Sequence, residues 1–143
     1  MFYGEHEHTI DDKSRLTLPA KYRHALSDGV VLAKGIERSI EVYPRASWDA
    51  NMARVAELDA FNRASRDMKR FVFTGVAMAE LDRQGRVVLP PKLIEHAELA
   101  KDVVVLGVHD HVEIWDRAQW AAHLQAIEGS VGDVAERVAD RRG

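Results

Sequence analysis

One nine-residue stretch occurs twice in the chain. The first copy is Asp11-Asp12-Lys13-Ser14-Arg15-Leu16-Thr17-Leu18-Pro19, and the second is Asp82-Arg83-Gln84-Gly85-Arg86-Val87-Val88-Leu89-Pro90. Asp, three residues, Arg and an apolar–x–Leu–Pro run recur 71 positions apart, from Arg15 to Arg86, and Lys21 and Lys92 follow at matching places. A lone Asp-x-x-x-Arg carries no information, but two copies with the same downstream run mark an internal repeat. The echo continues: Val30 to Gly35 returns as Lys101 to Gly107, Glu41-Val42-Tyr43 as Glu113-Ile114-Trp115, and Trp48 as Trp120. The later pairs are 72 apart, which places one added residue in the loop near Ala100. A unit of about 40 residues is too small for a good core of its own. Two pseudo-symmetric halves completing one core between them are therefore expected.

The bulk numbers agree with that reading. A chain of 143 residues fits one domain or two tightly joined halves. It has no apolar run near the ~20 residues that a membrane helix needs. The start, Met1-Phe2-Tyr3-Gly4-Glu5, has no basic or apolar leader region. Zero cysteines exclude disulfides and thiolate sites and fit a cytoplasmic location. A net charge of −3 argues against indiscriminate coating of nucleic acid, yet a local basic patch sets its own potential.

Read in order, the chain opens with an entry segment ending in a short strand around His8-Thr9-Ile10. A turn over Asp11 to Ser14 follows, then the half-buried strand Leu16-Thr17-Leu18 and a short helix from Ala20 to Leu26 after Pro19. Val30–Ala33 and Ile40–Tyr43 read as partner strands. Ser47 reads as a helix cap, and Trp48, Met52, Val55, Leu58 and Phe61 form one apolar helical face, continued by Met68 and Phe71 after a break near Asn62 to Ser65. The second copy repeats the order: strand Val76 to Leu81, turn Asp82 to Gly85, strand Arg86 to Leu89, helix Pro90 to Ala97, strands Val103–Val108 and Val112–Trp115. A helix capped by Asp116 runs to Ala126. Beyond Gly129 the pattern supports one weak helix and a charged, mobile tail from Arg137 to Gly143.

Each Asp-x-x-x-Arg spans a tight turn in which carboxylate and guanidinium can meet, and Arg can also fork onto a phosphate or a carbonyl. Asp11 and Asp82 either only staple their turns or orient an Arg that stays exposed. Lys13 and Arg15 in one copy, and Arg83 and Arg86 in the other, make two basic loops on a mildly acidic chain. Gly85 permits a left-handed backbone; Ser14 holds the matching place, so the first turn is expected to be strained or different in shape. Lys13 and Arg15 alternate, which would point both to one side of an extended or loop segment and favours the first loop. Tyr43, Trp48, Trp115 and Trp120 read as core or interface anchors. His6-Glu7-His8 and His109-Asp110-His111 each place two imidazoles on one face if extended, a pattern that could hold a metal. No nucleophile elbow, phosphate loop or dinucleotide fingerprint accompanies them.

Over roughly residues 1–130 the chain resembles the MraZ family, regulators of the bacterial division and cell-wall gene cluster, and is similar to two SpoVT-AbrB domains in tandem. Met1-Phe2-x-Gly4-Glu5, the two Asp-x-x-x-Arg turns with Leu-Pro, and Glu41-Val42-Tyr43-Pro44 carry the resemblance; Ser14 departs from the family's Gly. The resemblance implies an α+β, mainly β fold: a pseudo-symmetric swapped-hairpin barrel of the AbrB type, with a helical connector and a C-terminal helix. It divides the chain into repeat 1 (5–48), connector (49–75), repeat 2 (76–120) and C-terminal helix and tail (121–143). It implies a ring-like homo-oligomer that binds direct repeats in double-stranded promoter DNA in the cytoplasm, at the nucleoid. It implies no enzyme activity, cofactor, metal, membrane or small-molecule substrate. Lys13, Arg15, Arg83 and Arg86 are the expected DNA contacts, with Asp11, Asp82 and Gly85 shaping the turns. The other readings are a small β-barrel metal protein or enzyme using the His-x-His pairs, and a purely structural ring.

Overall fold

A computed structural model describes residues 1–142. Its main sheet has six strands: β1 (Phe2–Thr9), β3 (Val30–Lys34), β4 (Ile40–Pro44), β5 (Ala77–Ala79), β7 (Asp102–His109) and β8 (Val112–Asp116). Their spatial order is β1-β7-β8-β4-β3-β5, and every neighbouring pair is antiparallel. The order is a palindrome in terms of the repeat: β8 and β4 are equivalent strands, as are β7 and β3, and β1 and β5. The halves meet at β4–β8, where the equivalent residues Glu41 and Glu113 stand opposite each other.

The first strand of each half pairs with the other half. β1 lies on β7, and β5 lies on β3. The short strands β2 (Arg15–Thr17) and β6 (Arg86–Val88) leave the main sheet and pair with each other as a separate ribbon. Helices α1 (Ala20–Arg23) and α4 (Pro91–His96) follow them. Pro19 and Pro90 are the reason these strands stop after three residues, since proline offers no N–H to extend the ladder.

One core joins both halves, as the repeat requires. Phe2, Leu16, Leu18, Tyr22, Leu32 and Val42 share a buried cluster with Val87, Leu89, Leu93, Val105 and Ile114. Truncating one of these leucines to alanine would cost about 2–5 kcal/mol. The other face of the sheet carries two smaller clusters. Val31, Ala33 and Tyr43 pack on Trp48, which opens α2 (Trp48–Ala56). Val104, Leu106 and Trp115 pack on Trp120 in the first turns of α5 (Arg117–Arg142). All four aromatic anchors thus lie at the sheet–helix junctions.

Several expectations are corrected. The barrel does not close: β1 and β5 are the two edges of an open sheet, and ribbon strands of three residues are too short to bridge them. The entry strand runs over Phe2–Thr9, because its whole length finds β7 as partner. In contrast, β5 shrinks to Ala77–Ala79. The connector breaks over Glu57 to Asn62, ahead of α3 (Arg63–Thr74), which Asn62 caps by accepting from the Ser65 amide at 3.2 Å. Ser47 caps nothing; its hydroxyl donates to the Pro44 carbonyl within a 3-10 turn. Asp116 does cap α5, accepting from the Gln119 amide at 3.2 Å. That helix continues to Arg142, with one non-helical residue at Ser130, where a weak helix and a mobile tail were expected. Gly143 lies outside the described residues.

Candidate nucleic-acid interface

The two Asp-x-x-x-Arg turns have the same internal wiring. Asp11 Oδ1 accepts from the backbone amides of Lys13 and Arg15, each at 2.9 Å, and Oδ2 accepts from Arg15 Nε at 2.7 Å. Asp82 Oδ1 accepts from the amides of Gln84 and Arg86, each at 2.9 Å, and Oδ2 accepts from Arg86 Nε at 2.7 Å. One short carboxylate therefore closes the turn and orients the arginine together. Hydrogen bonds from the Arg15 backbone, ahead of those from its side chain and from Lys13, hold the Asp11 carboxyl below the usual carboxylate range. The Arg86 backbone, its side chain and Gln84 do the same for Asp82.

The backbone is matched as well. Ser14 adopts φ +60° and Gly85 φ +75°. The expected difference in turn shape is absent: serine adopts the left-handed conformation itself, and strain is the cost. Across the repeat the turns lock together. The Leu18 amide donates to the Gly85 carbonyl at 3.0 Å, and the Leu89 amide donates to the Ser14 carbonyl at 2.8 Å.

The ribbon register brings the arginines to one place. Leu16 pairs with Val87, and both are buried. Alternation then turns Arg15, Thr17, Arg86 and Val88 outward. Arg15 pairs with Val88, and Thr17 with Arg86, so the arginines are diagonal neighbours about 7–8 Å apart along the backbone. Their side chains are 28% and 27% exposed. Each uses Nε on its aspartate, and Arg86 Nη2 also donates to Gln84 Oε1 at 3.3 Å. Lys13 and Arg83 are exposed in the turns at the ribbon ends. Lys13 does not alternate with Arg15 along a strand, because left-handed Ser14 separates them. Both arginines share one surface.

Sequence reasoning did not pick out Thr17, Val88 or Arg23. Val88 is 58% exposed, an unusual state for a valine, and it completes the outward face. The strand alternation could have found Thr17 and Val88, given the β2–β6 partnership. Arg23 donates from Nε and Nη2 to the Leu18 carbonyl, both at 3.1 Å, and lies across Gly85.

The histidine pairs do not converge. His6 packs edge-on to Tyr22 in β1, and exposed His109 sits beside Tyr3 at 6.0 Å. His111 turns instead toward the β4–β8 junction. Its Nδ1 is 2.7 Å from Asp110 Oδ1, its Nε2 is 2.8 Å from Glu113 Oε2, and its ring stacks on Tyr43 at 5.0 Å. Burial opposes charge on this imidazole. The hydrogen bonds to Glu113 and Asp110 and the Glu41 charge outweigh it and push the pKa up to about 9. Burial raises Glu41, whereas in Glu113 the bonds from His111 and Trp115 overcome burial and lower it. Among the described residues no helix is long and apolar enough to cross a membrane.

A family profile described as "MraZ protein, putative antitoxin-like" aligns twice, to residues 1–71 and 72–142. The chain is 41% identical over 142 residues to a Roseiflexus castenholzii protein named transcriptional regulator MraZ, with 99% of each chain covered. It is 40% identical to the proteins of that name from Limosilactobacillus fermentum, over 94% of each chain, and Thermomicrobium roseum, over 97% and 98%. With both halves matched by one family and relatives aligned end to end, the chain belongs to the MraZ family.

Proposed function

We propose that the protein is a sequence-specific, non-enzymatic transcriptional regulator that reads double-stranded promoter DNA with the outward face of the β2–β6 ribbon. One observation carries this reading: Arg15 and Arg86, each oriented by its own aspartate, lie side by side on one exposed two-stranded ribbon. A two-stranded ribbon fits the major groove of B-DNA, and arginine is the commonest side chain to read guanine there. Lys13 and Arg83, at the ribbon ends, are placed to meet phosphates on either side. The relatives' name, transcriptional regulator MraZ, supports the same function.

The finer picture also belongs to this proposal. The cross-repeat strand pairing supports an AbrB-like swapped-hairpin arrangement built from units 5–48 and 76–120, with 49–75 as connector and 121–143 as terminal segment. A net charge of −3 makes one ribbon a weak DNA ligand. A ring-like homo-oligomer presenting several ribbons to direct repeats gains usable affinity through multivalency. Its own division and cell-wall gene cluster is the expected target, and the nucleoid the expected location.

Footprinting on DNA upstream of the protein's own gene tests the reading. The expected result is protection of short direct repeats, lost in Arg15→Ala and Arg86→Ala proteins that still melt normally. Full protection by both folded variants rules out the ribbon as the reading head.

A further inference from the structure

The cluster at the β4–β8 junction is not absorbed by DNA recognition. It lies on the sheet face opposite the core that supports the ribbon, where Glu41 and Glu113 stand directly across from one another. Like charges at directly opposed positions destabilise a sheet unless a cation sits between them. His111 supplies a single positive charge against Glu41, Glu113 and Asp110. His123 is the next imidazole, its ring 4.9 Å from Trp115, and Glu37 adds further negative charge near Glu41.

We propose that Glu41, His111 and Glu113 form a binding site for a divalent transition-metal cation that clamps the two repeats together at their junction. One nitrogen or oxygen from each of the three lies within 4.8 Å of the others. Two ligands each about 2.1 Å from one ion lie within about 4.2 Å of each other, so closure needs only small side-chain adjustments. The outer atoms are already held. Asp110 engages His111 Nδ1 at 2.7 Å, so a bound ion takes Nε2 in place of its proton and of the 2.8 Å bond to Glu113 Oε2, which gives the usual carboxylate–histidine–metal arrangement. Tyr43 donates its hydroxyl to Glu41 Oε1 at 3.1 Å, and Trp115 Nε1 donates to Glu113 Oε1 at 2.9 Å. Each carboxylate thus keeps its second oxygen for the centre.

One imidazole with two carboxylates suits Zn²⁺ and its first-row neighbours, with water completing the shell. Both carboxylates and their orienting aromatics come from the repeat, Glu41/Tyr43 and Glu113/Trp115. The imidazole does not: 72 positions before His111 stands Ser39, so the site occurs once.

The test is calorimetric titration of the full chain, stripped with EDTA and freed of chelator, with ZnCl₂. The expected result is one Zn²⁺ per chain and a raised melting temperature. Glu41→Gln and His111→Gln should each weaken binding at least tenfold, as losing even an outer-shell partner often does, whereas the His6→Gln/His8→Gln protein should bind like the parent. Glu41→Gln keeps an oxygen for Tyr43 and decides the matter if His111→Gln does not fold. Absence of Zn²⁺ binding at micromolar concentration overturns the proposal. So does parental affinity in a folded Glu41→Gln or His111→Gln protein.

Discussion

The turns at Asp11 and Asp82 share the aspartate bonds that close them, the second adding one from Arg86 Nη2 to Gln84 Oε1, but their surroundings differ. Over the second turn lies Arg23, so close that a Cβ on Gly85 would come within 2.2 Å of its Nε. The residue equivalent to Arg23 is Ile94, and it lines an open groove of about 750 Å³ beside Asp11, Ser14 and Lys101. The crowded turn has glycine, and the roomy turn has serine at the cost of a strained backbone. Charge differs in the same sense. The first turn carries Asp11 and Asp12 against Lys13 and Arg15, whereas the second carries Asp82 alone against Arg83 and Arg86. One backbone device is thus kept twice, while its rim diverges: the second turn is the more basic and tightly packed half of the ribbon.

The largest expected effect comes from separating the halves. Residues 1–60 lack β6 and β7, so Leu16, Leu18 and Phe2 lose their partners in the shared core. That fragment should show no cooperative thermal transition by circular dichroism. A sharp melt would make the repeats independent domains and dissolve the comparison.

Next is the contribution of each arginine to binding. Arg15→Ala and Arg86→Ala should each cost about 1–3 kcal/mol in operator affinity per site, measured by gel shift on preparations whose melting temperature is checked. Comparable losses make the ribbon a symmetric reader; a silent Arg15→Ala would assign reading to the more basic second turn alone. Lys13→Ala and Arg83→Ala should weaken all sequences alike and lower the salt slope by about one unit per contact.

Gly85→Ala and Ser14→Gly sharpen the backbone side. Gly85→Ala forces a left-handed alanine and displaces Arg23, and should destabilise by about 1–3 kcal/mol in urea unfolding. Ser14→Gly relieves the same strain where no side chain crowds the turn, and should stabilise by about 1 kcal/mol. Equal effects of opposite sign would mean that Arg23 contributes nothing to the asymmetry.

The smallest effect is in acid. Asp11 and Asp82 have pKa values below the usual 3.8 in the folded chain. The turn bonds therefore contribute stability above that value, and lose it as pH falls through the lowered folded values. Carboxyl NMR titration should place both midpoints below 3.8. An ordinary midpoint for either would mean that its turn is open in solution.

Much of this was legible in the chain. The Asp-x-x-x-Arg repeat located both turns and their arginines, because a turn closed by its own side chain is a local structure that needs no distant partner. Trp48 and Trp120 located the helices that cover the outer sheet face. The long pairing of β1 and the shrinkage of β5 were not legible, since strand length is set by the partner strand. Nor was the route of His111: the pattern His109-Asp110-His111 suggests a pair, while a positive φ of 69° at His109 splits it.

The duplicated sequence by itself determined that two equivalent units exist, that each carries an arginine-orienting turn, and that one core is to be expected between them. Those properties follow from side chains within a few residues of each other and from chain length. Tertiary structure alone decided that β2 meets β6. That pairing places Arg15 and Arg86 on one face, and no local signal names a partner 71 positions away. It also decided that Glu41 and Glu113 stand opposite each other with His111 beside them, and that the sheet stays open. These depend on register between distant strands, which the packing of the shared core selects and periodicity along one strand does not record.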